Sequence, residues 1–358
     1  MIHRSNGFDA LRLFAASLVI YGHSAALTGH MPAGMLGGAI HAIGVKIFFV
    51  ISGFLITRSW QSDPNLLRFW SKRVLRIMPG LIMVCLASVF VLGPLVTKLP
   101  LAEYFRDRAT YDYLWNIAFY PVYSLPGVFA DNTVPSVVSG VLWTLPVEVA
   151  MYFGVPLLIG RHRRSPKLLV PVLAVALLAA SLYFLRIAPE RPSLVLWGTD
   201  VIVALDLTCY FYFGASIAIL RLEHRCSPVV AIVLFAIAAR FLDNEVLKEI
   251  ALATTLSCFV VGAGRTRSAL LSKFEGHDIS YGVYLYGFPV QQTLIHFMGP
   301  QPAMFNFVAA MLITMLLATL SWRFVERPAL ALKPAHGGAR HKTPARPENA
   351  LVASARSK

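Results

Sequence analysis

The sequence is poor in charged residues, and acidic residues are especially few. Only 14% of its 358 residues are Asp, Glu, Lys or Arg, whereas 57% are hydrophobic and the mean hydropathy is +0.64. This composition excludes a soluble domain and predicts a polytopic membrane protein. The net charge is +14. Because the cations gather in short clusters between apolar segments and form no basic stripe, we expect the lipid bilayer as a partner and no nucleic acid.

Cysteine is also scarce, and its placement indicates neither a disulfide framework nor a metal site. Cys85, Cys209 and Cys258 fall inside apolar segments, and Cys226 falls in a basic loop. Since no zinc-ligand spacing occurs, we expect no metal and no bound cofactor. The chain also lacks a Walker loop, a GxGxxG motif and an internal repeat, so ATP and dinucleotide chemistry have no support.

Ten apolar segments predict an all-α fold of about ten transmembrane helices with both termini in the cytoplasm. With the N-terminus inside, 24 of the 32 Lys and Arg lie on the cytoplasmic side and seven outside, as the positive-inside rule requires. The seventh and eighth segments are short, which leaves nine or eleven spans as alternatives. The predicted spans are approximately 8–28, 38–58, 76–97, 139–160, 167–186, 199–220, 228–242, 249–264, 279–298 and 302–323.

Two segments are predicted to lie outside the helix bundle. Residues 98–138 form the longest external loop, and its many aromatic residues suit an interfacial belt better than a sugar-contacting surface. Residues 1–330 are predicted to form the transmembrane domain. The basic segment 331–358, rich in Ala and Pro, is predicted to be a disordered cytoplasmic tail. The first span resembles a signal peptide, but we interpret it as uncleaved.

The first span carries Arg12 and His23, eleven residues apart in an otherwise apolar stretch. Eleven residues bring a helix back to within about 20° of its starting direction and advance it by about 16 Å, so both side chains share one face. This predicts Arg12 near the inner surface and His23 near mid-bilayer, where an ionisable group usually faces a polar cavity. A histidine bonded to a neighbouring helix is the plainer alternative. Asp9 precedes Arg12 by three residues, a spacing that predicts an ion pair.

The second and third spans add further candidates. Ser52 and Gly53 form a pair of small residues that predicts close helix packing, with a direct role in the site as the second interpretation. Arg73 and Arg76 share one helical face beside Lys72, an arrangement suited to phosphates. Positive-inside orientation alone would also account for these three charges, and the two explanations stand equal.

Glu148 lies at the start of the fourth span and is the sole carboxylate between Asp131 and Glu190. Near a bilayer edge it would be solvated, whereas inside an apolar helix it indicates a polar cavity. If its helix meets the first span, Glu148 would orient His23 or balance its charge.

These motifs, taken in order, resemble the integral-membrane acyltransferase-3 family, the O-acyltransferases that modify bacterial surface and secreted glycans. The resemblance covers residues 6–330, and the order and spacing of the motifs are more specific than any one of them. The matching segments are Phe8-Asp9-Ala10-Leu11-Arg12 with His23, Phe48 to Phe54, Arg73-Val74-Leu75-Arg76, Trp143-Thr144-Leu145 with Glu148, Ser280 to Leu285, and Phe324-Val325-Glu326-Arg327-Pro328.

The resemblance implies transfer of an acyl group, usually acetyl from acetyl-CoA as co-substrate, to a hydroxyl of a glycan or lipid-linked saccharide. It also implies a multi-pass protein of the bacterial inner membrane. The family's functional Arg, His and RxxR positions map onto Arg12, His23, Arg73 and Arg76. We therefore predict two sets of residues besides a supporting set: catalytic His23 and Glu148; acyl-donor-binding Arg12, Lys72, Arg73 and Arg76; and supporting Asp9, Ser52, Ser280, Tyr281 and Tyr284.

Two positions depart from the family pattern, and one competing function remains. The chain has Tyr286-Gly287 where the family often has a histidine, and Lys46 where an acidic residue is common. A multi-span transporter or flippase of a glycan precursor is the alternative, because such proteins also carry intramembrane charges. It would be expected to show an inverted repeat, and none is visible.

Overall fold

A computed structural model describes residues 7–31, 34–35, 38–160, 166–187, 193–266 and 278–333, and these are predominantly helical. Two small antiparallel hairpins, β1–β2 (Gly34–Met35 and Gly38–Ala39) and β3–β4 (Val195–Leu196 and Thr199–Asp200), are the strands of the described residues. The helices are α1 (Gly7–Leu27), α2 (Ile40–Ser62), α3 (Leu66–Ala87), α4 (Gly93–Val96), α5 (Leu101–Arg106), α6 (Arg108–Asp112), α7 (Thr144–Ile159), α8 (Pro166–Leu182), α9 (Val201–Leu220), α10 (Pro228–Phe241), α11 (Glu245–Gly264), α12 (Ser280–Met298), α13 (Ala303–Ser321) and α14 (Arg327–Ala331).

A helix occupies each of the ten predicted spans. Seven helical segments of the described chain are long and apolar enough to cross a membrane: α1, α2, α3 with its continuation to Val96, α8, α9, α11 and α13 with its continuation. The other three are α7 and α10, which are shorter, and α12, which carries several polar side chains. The helical, multi-pass character is therefore confirmed, while the count of ten and the cytoplasmic termini stay predictions.

Helix α2 lies at the centre and packs against α1 on one side and α9 on the other. Glycine permits both contacts. A Cβ at Gly44 would lie 2.5 Å from the Ala15 carbonyl oxygen, and one at Gly53 would lie 1.9 Å from the Phe211 carbonyl oxygen. Small residues thus let the helix backbones approach closely. This packing matters in a bilayer because the hydrophobic effect does not drive helices together there. The close packing predicted from Ser52-Gly53 is confirmed.

The segment predicted as a long external loop has more structure than expected. It folds into α5, α6 and a 3₁₀ helix (Tyr113–Ala118), and two of its aromatic residues, Tyr104 and Tyr113, are fully buried. Asn132 donates to the side-chain oxygen of Gln292 on α12 at 2.9 Å, which ties the segment to the bundle. Other aromatics, Trp115 among them, remain exposed. An interfacial belt accounts for only part of this composition, because burial accounts for the rest.

The outward faces of the peripheral helices are apolar. On α13, for example, Leu312 and Leu316 expose 66% and 62% of their surface. Such exposure is unfavourable in water and favourable in a bilayer. After Ser321 the chain continues through a π-helical turn into α14, and the described residues end at Lys333. Most of the predicted tail, residues 334–358, lies outside the described residues.

Candidate active site

Two of the predicted arginines meet at a carboxylate that the sequence analysis did not single out. The Arg12 guanidinium lies 3.1 Å from Oδ2 of Asp278, and Arg76 donates to the same oxygen. Arg12 also pairs with Asp9 at 3.2 Å, as their spacing predicted. Burial raises the pKa of Asp278, but the positive charges of Arg76 and Arg12 outweigh it and hold the pKa well below its ordinary value. Asp278 also accepts a hydrogen bond from the backbone N–H of Ser280, at the start of α12.

Arg73 is half-buried and has a different set of partners from Arg12 and Arg76. Its guanidinium donates to Ser59 Oγ at 2.9 Å and lies over the rings of Phe69 and Tyr152, 5.1 Å and 6.0 Å from their centroids. Within the described chain no carboxylate forms an ion pair with it, and its Nε is buried without a hydrogen-bond partner. A buried donor that lacks an acceptor is costly, so the site favours an incoming anion.

Lys72 is directed elsewhere. Its ammonium pairs with Asp63 at 3.1 Å, in the turn between α2 and α3, and Asp63 also binds Arg68 at 2.6 Å. The hydrogen bond from Arg68, with help from Lys72, holds the pKa of Asp63 well below its usual range. Lys72 and Arg73 are neighbours in sequence but have different partners, because successive residues on a helix point about 100° apart.

We use the term arginine level for the part of the site that contains Arg12, Arg73 and Arg76. Glu148 lies at this level and not beside His23. Its Oε1 accepts hydrogen bonds from Ser52 at 3.0 Å and from Tyr152 at 2.5 Å. Ser52 follows His41 by eleven residues, so it lies about 16 Å further along α2. Since His41 contacts His23, the expectation that Glu148 would orient His23 is wrong on geometric grounds.

His23 is enclosed by rings. It stacks on His41 with a centroid distance of 4.6 Å and an interplanar angle of 18°, and it meets the edge of Phe288 at 5.2 Å. The residue lies sixteen positions after Gly7 and four before Leu27, or about 24 Å along a helix of about 31 Å. His23 is therefore nearer the end of α1 that leads to β1 than to the middle of the helix, and its depth near mid-bilayer stays a prediction.

Two of the predicted supporting residues use their hydroxyls to join elements. Tyr281 donates to the Ile77 carbonyl oxygen of α3 at 3.0 Å. Tyr284 lies 2.7 Å from Thr144 Oγ1 and donates to the Val141 carbonyl oxygen at 3.0 Å. These bonds fix α12 against α3 and against the start of α7, so both tyrosines stabilise the frame that carries the arginines.

Lys46 has carboxylates from two other helices as partners, of which one is buried and one is partly exposed. Its ammonium lies 2.6 Å from Glu249 and 3.2 Å from Asp206, over the ring of Tyr210 at 4.7 Å. Lys46 is 6% exposed and Glu249 is 8% exposed, so both charges are removed from solvent. A buried charge persists only when it is compensated, and this network ties α2 to α9 and α11.

Comparison with known proteins identifies the chemistry. A family model described as an acyltransferase domain matches residues 5–323, nearly the whole chain. The chain belongs to the acyltransferase-3 family. The resemblance inferred from the sequence motifs is thereby confirmed.

Individual relatives agree with this family. An O-acetyl transferase of Shigella phage Sf6 is 28% identical over 91% of this chain and 96% of its own length. Nodulation protein 10 of Rhizobium leguminosarum bv. viciae is 31% identical over 92% of this chain and 94% of its own length. The peptidoglycan O-acetyltransferase OatA of Listeria monocytogenes is 26% identical over 80% of this chain but only 51% of its own length. No solved structure matches the chain.

This acyltransferase-3 member is an O-acetyltransferase embedded in the membrane. Two of its site residues escaped the sequence analysis. Asp278 lies two residues before Ser280, where the quoted motif begins, and its acidic side chain near a helix N-terminus was the available signal. His41 gave no such signal, because its position beside His23 depends on how α1 and α2 cross.

Proposed function

We propose that this O-acetyltransferase takes an acyl group, expected to be acetyl, from acyl-CoA and transfers it to a glycan hydroxyl. The acceptor is a surface or secreted glycan or a lipid-linked saccharide, and the location is the bacterial cytoplasmic membrane, with ten spans and both termini inside. The observation that carries the proposal is the separation on α1 between Arg12 and His23, about 16 Å along one helical face. A donor with an anionic end and a reactive end joined by a long arm fits this separation.

The anionic end of acyl-CoA would bind at the arginine level. Acyl-CoA is made in the cytosol and carries too much charge to cross a bilayer, so it would enter from the inner side. Arg73 offers a half-buried guanidinium whose buried Nε has no hydrogen-bond partner. Arg12 and Arg76 offer two more planar forks, which suit phosphate oxygens. Asp278 binds both of these guanidiniums, so a phosphate and this carboxylate would compete for them.

Lys72 and Glu148 take secondary roles in this scheme. While Asp63 holds Lys72, the ammonium contributes to donor binding only through its longer-range positive charge. Glu148 holds Tyr152, whose ring lies beneath Arg73. We infer that Glu148 fixes the wall of the donor site, a role that replaces its predicted action on His23.

The pantetheine arm would carry the thioester from the arginines to His23. There the neutral imidazole accepts the proton of the acceptor hydroxyl as the hydroxyl oxygen attacks the thioester carbonyl carbon. The tetrahedral intermediate collapses with cleavage of the carbon–sulfur bond, and the imidazolium returns its proton to the leaving thiolate. General-base assistance of this kind contributes about 10²- to 10⁴-fold in rate.

The experiment is an acyl-transfer assay on the purified full chain in lipid nanodiscs with radiolabelled acetyl-CoA and saccharides from the bacterial envelope. Mass spectrometry of envelope and secreted glycans, from cells with and without the protein, would identify the acceptor by the mass of an acetyl group. We expect His23→Gln to fold and to lose transfer. His30→Gln, at an exposed histidine that hydrogen-bonds Thr28, is the matched control and should retain it. Transfer by His23→Gln at the parent rate would refute the proposal.

A further inference from the structure

The ring of His23 is held by other rings. His41 covers one face at 4.6 Å, nearly parallel, and Phe288 meets it edge-on at 5.2 Å. Among the described residues, no hydrogen bond to His23 is formed. A histidine that acts as a base or a metal ligand is usually oriented by a hydrogen bond from its second nitrogen to a carboxylate or carbonyl. Here ring contacts take that place and leave the two nitrogens of His23 without protein partners.

The fold is built to bring the two histidines together. Gly22 precedes His23, and a Cβ at this position would lie 2.6 Å from the backbone nitrogen of His41. Any larger residue would therefore force α1 and α2 apart at this level. His41 is the second residue of α2, which begins at Ile40 directly after the β1–β2 hairpin. The position of the His41 backbone is therefore fixed both by its close contact with Gly22 and by the hairpin that precedes α2.

The nitrogens of His41 do not fix its own ring. Its Nδ1 is buried and has no hydrogen-bond partner. A buried polar atom without a partner is unfavourable and calls for a reason. The contact between the two ring faces is such a reason, because stacking depends on the π surface of His41 and does not require hydrogen bonds to its nitrogens.

We propose that His41 is a positioning residue for His23, whose ring plane it fixes and whose imidazolium it supports through the face of its own neutral ring. The inference rests on the proposed function of His23 as the base. In the step concerned, the proton passes from the acceptor hydroxyl to His23 and from His23 to the thiolate, and His41 neither gains nor loses one. An aromatic face lowers the energy of a cation placed over it, so the stabilisation appears only when His23 is charged. Stabilisation restricted to the transition state raises kcat and leaves KM unchanged.

The test compares His41→Phe, His41→Leu and His41→Asn in the full chain. Phe keeps a ring face without nitrogens, Leu keeps bulk without a face, and Asn keeps polarity without either. We expect Phe to retain kcat within about threefold, and Leu and Asn to lower it by about five- to thirtyfold, the range of a partly desolvated cation–π contact. KM for acyl-CoA should stay unchanged. Activity is measured per monodisperse protein, so that a loss of folded material does not count as a loss of rate.

Two controls separate the outcomes. Phe307→Leu removes the ring that meets Tyr21 of α1 edge-on at 5.3 Å, and it should keep the parent kcat. Phe288→Leu removes the second ring contact that orients His23 and should lower kcat through the loss of that orientation, by less than His41→Leu does, which keeps the test open if a His41 variant fails to fold. Parent-like kcat in both Leu variants would overturn the inference. A Phe variant as slow as Leu would also overturn it, because the nitrogens would then be required. If His23→Gln itself transfers acyl groups at the parent rate, the proposed function fails, and that result is distinct from either.

Discussion

Replacing Asp278 with Asn removes the negative charge that Arg12 and Arg76 share while it preserves the shape of the side chain. The Asp278 side chain is 10% exposed, and the two guanidiniums are 22% and 25% exposed. Breaking a buried ion pair by removing one partner costs about 3 to 5 kcal/mol, because the remaining charge is left uncompensated. Since the Arg12 and Arg76 side chains are partly exposed to water, we expect a smaller loss of stability than this range, about 2 to 3 kcal/mol.

The same substitution should strengthen donor binding. In the parent protein, a phosphate must compete with the Asp278 carboxylate for both guanidiniums. A hydrogen bond to a charged group is worth about 1.5 to 3 kcal/mol, so relief from one such competitor should tighten acyl-CoA binding by about tenfold or more. The variant is thus predicted to be less stable alone and to gain more stability from its ligand, two effects of opposite sign.

Thermal unfolding with and without acyl-CoA, together with direct titration of the ligand, measures both effects. Asp63→Asn is the matched control, because Asp63 also bridges two cations, Arg68 and Lys72, but in the turn between α2 and α3. It should leave acyl-CoA affinity nearly unchanged. Folded Asp278→Asn protein that binds acyl-CoA no more tightly than the parent would refute the reasoning, since Arg12 and Arg76 would then not form the donor site.

The pH dependence of stability gives an independent check on Asp278. Its pKa is lower in the folded protein than in the unfolded chain, where a free Asp titrates near 3.9. The stabilisation is therefore fully present above about pH 4 and is lost as pH falls through the lower, folded value. The difference in stability between parent and Asp278→Asn should stay constant from neutral pH to about pH 5 and shrink only in stronger acid. A difference that already shrinks near pH 6 would mean that another group is responsible.

The remaining predictions concern topology, donor binding and the buried charge network. Reporter fusions after Pro126 and Arg225 should report the outside and the cytoplasm respectively, as the Lys and Arg asymmetry requires, and an external report at Arg225 would contradict the ten-span topology. Arg73→Ala should weaken acyl-CoA binding, and Arg73→Lys should restore it only in part, because Lys lacks the planar fork; unchanged titration isotherms would place the donor elsewhere. Lys46→Met should lower stability by about 3 to 5 kcal/mol in thermal unfolding and leave KM for acyl-CoA unchanged, because it leaves the buried Glu249 and the partly exposed Asp206 without their cation; a shifted KM would give Lys46 a role in the site.

Much of the fold follows from local patterns in the sequence. The lengths of the apolar segments predicted each of the long apolar helices of the described residues. They could do so because helix formation and burial in lipid depend on consecutive residues. The shared face of Arg12 and His23, and the pairing of Asp9 with Arg12, follow equally from helical geometry, which needs no knowledge of neighbours. The departures lie in segment 98–138, where buried tyrosines such as Tyr104 stabilise short helices in a segment that hydropathy alone predicts as a loop.

The partners of the site residues could not be predicted in the same way. Glu148 was expected to meet His23, yet it contacts Ser52 about 16 Å further along α2, because sequence spacing fixes depth within one helix and not the depth at which two helices cross. Lys72 was predicted to act together with Arg73, but in the structure it pairs with Asp63. Each of these outcomes depends on a contact between separate structural elements, and the local pattern of a single sequence does not predict such contacts.

The contrast between Lys46 and Arg73 explains why the site lies where it does. Lys46 is buried and Arg73 is half-buried, but Lys46 is compensated by two carboxylates and a ring, whereas Arg73 has a hydroxyl, two rings and a buried Nε without a partner. A charge that serves the fold is neutralised by the fold, because an isolated charge in a low-dielectric interior is too costly to keep. A charge that serves a ligand must stay available, and its cost is offset only when the ligand binds. By this criterion we assign the proposed donor site to Arg73 and not to the more deeply embedded Lys46.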